Sequence, residues 1–201
     1  MKIVTTLARL LTRLFRREDG VILIEFAYTV PIILMLLIGG FETFRILMME
    51  RKTNQTINSV ANLIAQNQLL SSAMITDTFN AVDNIMAPFQ VENNGRVIVS
   101  KIRGTADKPI IANQCLSNTG TTFSSKLGSE GNDADVSALP GNFTLEEGDI
   151  IVVAEIFFTY TPFFLDTSFL FDGGVFTQRN IYHVAVHSPR FSDVTFTEGC
   201  P

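Results

Sequence analysis

The chain has no tryptophan, two cysteines, two histidines, and 17% charged residues over a length of 201. Each shortage excludes something. Cys115 and Cys200 form no CxxC pair, which removes zinc-ribbon and thioredoxin chemistry. No GxSxG, HExxH, GxxxxGKS or GxGxxG pattern occurs. His183 and His187 lie four residues apart, which on a strand is about 13 Å, too far for one metal ion. Neither has a Ser, Cys or carboxylate partner at a recognisable spacing, so both read as surface or rim residues. The segment Asn132-Asp133-Ala134-Asp135 lacks the spaced oxygen ligands and closing Glu of a calcium loop. With no nucleophile, base and orienting group to assemble, the sequence reads as non-enzymatic, with no cofactor and no metal. A net charge of −5 argues against nucleic acid as a partner.

Acid is also absent from residues 1–17, which carry five bases: Lys2, Arg9, Arg13, Arg16 and Arg17. From Val21 onward there are ten bases against eighteen acids, so the remainder stands at −8. Between these regions lies the apolar run Val21 to Phe41, in which Glu25 is the only carboxylate. As a helix, 21 residues span about 30 Å, the thickness of a bilayer core. A buried core helix seldom lacks a polar stripe over six turns, so the run reads as a membrane span. The basic leader keeps the N-terminus cytoplasmic and sends everything after Phe41 across. A secretory signal peptide fits less well, because the run is long, contains Glu25, and ends in Ile38-Gly39-Gly40, a poor cleavage site. Both cysteines fall on the exported side and could close a loop of about 85 residues; two free thiols are the alternative.

Glu25 demands an explanation, since a carboxylate costs about 2–3.5 kcal/mol at the centre of a membrane helix and less near its edge. It could sit at the interface and reach toward headgroups or Arg17. A cut after Gly20 offers another answer: Val21 would carry a new ammonium, and Glu25, now the fifth residue, could pair with that amine on a neighbouring copy. Pro31 removes the amide that would bond to the Ala27 carbonyl and predicts a helix kink.

Gly20-Val21-Ile22-Leu23-Ile24-Glu25-Phe26 followed by an apolar helix is similar to the processing site of type IV pilin-like precursors. The longer run Asp19 to Ala27, with Pro31 and Gly39-Gly40-Phe41-Glu42, resembles more narrowly the TadE-like pseudopilins of tight-adherence (Tad/Flp) pilus systems. Leu34, Leu36, Leu37 and Arg45 fit that pattern, whereas Tyr28-Thr29 and the bulky Ile22-Leu23 depart from it. The resemblance implies a single-pass protein of the bacterial inner membrane with a periplasmic head. It implies cleavage by prepilin peptidase between Gly20 and Val21, and an assembly role for Glu25 and Phe26. The implied partners are other pilins and pseudopilins, the inner-membrane pilus assembly platform and the lipid bilayer. The protein would be a minor structural subunit or assembly factor that can enter an extracellular pilus. A reading from another class is an uncleaved single-pass periplasmic scaffold or binding protein.

Residues 1–20 are therefore expected to be a leader, 21–41 a transmembrane helix, and 42–201 an α+β head that includes the helix extension. Glu42 to Gln68 contains neither Pro nor Gly, so the helix should continue, with Ile57, Val60, Ala61 and Ile64 as its packed stripe. Ser71 or Ser72 should cap a second helix that carries Ile75, Phe79, Val82 and Met86 on one face and ends at Pro88. Asp77 and Asp83 read as its solvated side. A strand is expected over Arg96 to Arg103, after the Asn93-Asn94-Gly95 turn. In residues 104–147, Gly, Ser, Thr, Asn and Asp fill 22 of 44 positions, which predicts a long loop with a short strand near Ile110-Ile111. A central strand should run from Ile150 to Tyr160, and another from Val175 to His187, the two completing a small antiparallel sheet. The Gly148-Asp149 lead, the Tyr160-x-Pro162 exit and the closing Ser188-Pro189-Arg190 also resemble TadE-like heads. Ten of the seventeen phenylalanines follow residue 140, and the segment Phe163 to Phe171 is expected to present an aromatic docking surface to other subunits.

Overall fold

The computed structural model describes residues 19–117, 120–141, 144–164 and 177–200. One helix, α1 (Asp19–Ala65), runs for 47 residues, about 70 Å at 1.5 Å per residue. Pro31 lies inside it without interrupting it. Then follow strand β1 (Leu69–Leu70), helix α2 (Ser72–Met86), the short helix α3 (Val91–Asn94), and strands β2 (Gly95–Arg103), β3 (Ile110–Leu116), β4 (Ile150–Tyr160), β5 (Arg179–His187) and β6 (Thr195–Phe196). This is an α+β fold: a long apolar N-terminal helix, a further helix, and a small antiparallel sheet.

The local rules account for most boundaries. The Ser71 hydroxyl accepts from the Met74 amide at 3.3 Å, satisfying one of the orphan donors that begin α2. Asp83 corrects its sequence reading. Its carboxylate is not merely solvated but accepts from the amides of Val91 (2.9 Å) and Glu92 (3.2 Å), the first two residues of α3. It therefore acts as a cap from eight residues away. β3 is also longer than the two-residue core expected for it. It is an edge strand, so Asn113 and Gln114 can be polar and half-buried while the backbone pairs with β2. β5 is described from Arg179; the expected turn at residues 172–174, the strand start at Val175, and Phe169 and Phe171 lie outside the described residues, as does the basic leader through Glu18.

The four-stranded sheet has the order β3-β2-β4-β5, with every pair antiparallel. One face is packed by helices. Ile57, Val60, Ala61 and Ile64 of α1, with Ile75, Val82 and Met86 of α2, bury Val97, Val99, Val152, Ala154, Ile156 and Phe158. The other face is covered by the polar segment that follows β3, through Leu127 and Leu139 against Ile102, Ile111, Ile151 and Val153. β4 is thus buried on both sides, which is why its sequence is apolar throughout instead of alternating.

Glycine is required where the ends of this sheet crowd together. A Cβ on Gly104 would lie 1.9 Å from the Glu146 carbonyl oxygen, because Gly104 exchanges backbone hydrogen bonds with Asp149 (2.8 Å) and Gly148 (3.1 Å). The C-terminal tail returns beneath the helices. β6 pairs in parallel with β1, and the buried Lys101 ammonium meets the Asp193 carboxylate at 2.5 Å and the Val194 carbonyl at 2.8 Å. A disulfide joins Cys200 to Cys115 on β3, across 85 residues of chain.

Closing about 85 residues is worth roughly 4–5 kcal/mol of chain entropy. Cys115→Ser or Cys200→Ser should lower the denaturant midpoint of the head by an amount corresponding to 2–5 kcal/mol at unchanged secondary structure. An unchanged midpoint would show that the tail is held by β6 and Lys101 alone.

Candidate functional site

The apolar part of α1 before Phe41 is largely bare. Val21, Ile22, Leu23, Ile24 and Phe26 are all more than 60% exposed, as are Met35, Leu36 and Leu37. An 18-residue apolar window of this helix has no buried residue, and the helix is long and apolar enough to cross a membrane. Gly20 and Val21 lie in its first described turn. Glu25 is exposed on its side and, among the described residues, has no hydrogen-bond or ion-pair partner. Apart from the neighbouring backbone of the helix itself, no described atom lies within 4 Å of where a side chain on Gly20, Gly39 or Gly40 would begin. Among the described residues, Glu25, Phe26 and Pro31 therefore meet no other part of the chain, whereas Cys115 and Cys200 are brought together.

Where the apolar run ends, the helix meets the head through a charge. Glu42 is fully buried. One carboxylate oxygen accepts from the Tyr160 hydroxyl at 2.7 Å, and the other accepts from the amides of Phe163 (2.7 Å) and Phe164 (2.6 Å). Three donors in fixed positions are what a buried carboxylate requires. One turn on, the Arg45 guanidinium lies 5.4–5.8 Å from the ring centres of Phe163, Phe89 and Tyr160. Glu50 meets His183 of β5 at 2.8 Å and Arg179 at 3.6 Å. Lys52 donates to the carbonyls of Ile85 (3.0 Å) and Ala87 (2.6 Å) at the end of α2, where cations are favoured. Four charged side chains on three turns of α1 thus hold the head: Glu42 and Arg45 at the end of β4, Glu50 on β5 and Lys52 at the end of α2. His183 is corrected accordingly: it is half-buried beside a carboxylate that stands 133 residues earlier.

A second buried carboxylate holds the opposite face. Glu155 of β4 accepts from the Ser125 hydroxyl, from the Lys126 amide at 3.0 Å, and from the Tyr182 hydroxyl at 3.0 Å. The Lys126 ammonium lies 3.8 Å from the centre of the Tyr182 ring, and Phe123 stacks on Phe157. Glu155 positions the covering loop; it is not open to a substrate. Among the described residues no group of three or more His, Cys, Asp or Glu side chains could hold a metal.

Sequence reasoning missed Glu42, Glu50, Lys52 and Glu155 as anchoring groups. Glu155 carried a usable signal, as the one acid within an eleven-residue apolar strand. Glu42 carried a weaker one, at the last position before the helix turns polar. No protein-family model, curated protein or solved structure matches the chain.

The two head tyrosines report on these anchors. Burial, followed by the hydrogen bond and charge of Glu42, pushes the Tyr160 phenol from an ordinary 10.0 up to about 12. Burial and the Glu155 charge raise Tyr182 as well. A raised folded-state value contributes stability that is complete below the unfolded value and is lost as pH rises through the folded one. The Tyr160–Glu42 contribution should therefore be constant below pH 10 and disappear between 10 and about 12. In a Tyr28→Phe chain, absorbance of tyrosinate near 295 nm should stay flat through pH 10 and rise together with loss of near-ultraviolet dichroism. A phenol titrating normally while the fold persists would contradict the buried contacts.

Proposed function

We propose that the chain is a TadE-like pseudopilin: a minor structural subunit or assembly factor of a tight-adherence type IV pilus, cut by prepilin peptidase between Gly20 and Val21. The observation that carries this reading is the bare apolar half of α1, which begins at the Gly20-Val21 bond, displays Glu25 on its fifth residue, and leaves the head by a rigid continuous helix. A helical segment this apolar and this bare is built to be covered by something else. In the membrane that cover is lipid, with the N-terminus cytoplasmic and the head periplasmic. In an assembled fibre it is the helices of other pilins and pseudopilins, handed over at the inner-membrane assembly platform.

Glu25 fits both stages. Exposed near the end of the span, it carries a modest cost in lipid. Cleavage creates an α-ammonium on Val21 four residues away, and the same group on a neighbouring subunit can neutralise the carboxylate inside a dry bundle, where an unpaired charge would cost several kcal/mol. Phe26 lies beside it on the same bare surface. The role is structural, with the chemistry belonging to the peptidase.

Co-expression with a prepilin peptidase should give an intact mass and N-terminal sequence starting at Val21, while cells without the peptidase should retain Met1. An uncut chain in both strains would favour the permanently anchored scaffold, and a start near Phe41 would indicate signal-peptide removal. Glu25→Val should be cut normally yet fail to co-purify with the other pilins. Normal incorporation of that variant would reject the amine pairing while leaving the cleavage assignment intact.

A further inference from the structure

The neck, where α1 meets the head, presents an exposed aromatic surface. Phe163 and Phe164 follow β4 and are 67% and 57% exposed, although their amides are fixed on Glu42. The Phe164 ring meets Phe41, the last residue of the apolar run, edge-on at 5.6 Å between centres, and meets Phe163 at 4.6 Å. Phe44 and Leu47, also more than half exposed, carry the apolar surface further up α1. We propose that Phe163 and Phe164, with Phe41 and Phe44, form a collar that inserts into the outer interface of the bilayer crossed by α1 and fixes the head against it.

Three observations select lipid as the occupant. The patch is continuous with the apolar cylinder of α1, which is bare on all sides. Its level is set by the Phe164–Phe41 contact at the end of the run, so the rings lie where hydrocarbon gives way to headgroups. Its height fits as well: Phe41 to Phe44 rises about 4.5 Å, within an interfacial layer of about 5–8 Å on each side of a hydrocarbon core. The polar groups at that level are already withdrawn. Glu42 is buried by the donors that position the loop, and Arg45 is laid over Phe89, Tyr160 and Phe163, one turn further from the core. An amphipathic edge of this kind suits a membrane interface.

This inference rests on the membrane-spanning reading of α1 but not on leader cleavage. The absence of tryptophan makes the test direct. Full chains carrying Phe163→Trp, Phe164→Trp, Met35→Trp or Phe191→Trp are reconstituted singly into phosphatidylcholine vesicles, using lipids brominated either near the glycerol end or near the middle of the acyl chain. Phe191 is exposed near the far end of the head, where Arg190 bonds to Ala65. The collar tryptophans should be blue-shifted relative to Phe191→Trp and lose at least half their emission to the shallow bromines, with less loss to the deep ones. Met35→Trp should be quenched, and Phe191→Trp should not be.

Quenching at Met35→Trp without quenching at the two collar positions would overturn the collar and keep the span. No quenching at Met35→Trp would overturn both. A blue shift at Phe163→Trp that resists bromine and fades as lipid dilutes the protein would assign the patch to a second copy, and would equally overturn the proposal.

Discussion

A single buried carboxylate sets the geometry of this molecule. Glu42 stands where α1 leaves its apolar run, and its two oxygens take three hydrogen bonds from the end of β4 and the residues after it. A carboxylate left unpaired in that position would cost several kcal/mol, so the helix cannot slide or rotate against the sheet without losing all three donors together. The apolar packing above it is broad but nondirectional, and would tolerate small shifts that the charge does not. Glu42 fixes the level of the apolar half of the helix relative to the head, and Arg45, Glu50 and Lys52 repeat the same logic over the next three turns.

The head shows how a sheet can carry a cantilever of this kind. β4 lies between two unlike layers, helices on one side and a polar loop on the other, and offers each an acidic or phenolic anchor: Tyr160 for Glu42, and Glu155 for Ser125, Lys126 and Tyr182. The disulfide and the Lys101–Asp193 pair then secure the tail against the same sheet. Stability is gathered in the head, while the exposed helix contributes almost none to it. That division suits the proposed transfer of the helix from lipid to the helices of other subunits.

Much of this was legible along the chain. The stripe from Ile57 to Ile64, the Ser71 cap, and the eleven residues of β4 follow from periodicity and capping alone, and the folded chain has them in those places. The pairing of Cys115 with Cys200 was one of two open choices, decided when β6 brings the tail beside β3. What escaped were contacts between charged groups far apart in sequence: Glu42 with Tyr160, Glu50 with His183, Asp83 with Val91. Local patterns report which face is apolar, not which distant donor will arrive there. The extent of β3 beyond Ile110-Ile111 escaped for a related reason, because an edge strand needs few apolar residues and resembles the loop around it.

The central claim is that the Glu42 clamp joins the exposed helix to the head. A double-mutant cycle of Glu42→Ala and Tyr160→Phe, read as denaturant unfolding of the full chain in micelles, tests it most directly. The clamp predicts a coupling of about 1.5–3 kcal/mol between the two positions, the worth of a hydrogen bond to a buried charge. Losses that add to within about 0.5 kcal/mol would mean that the two groups act independently and that apolar packing alone holds the helix in place.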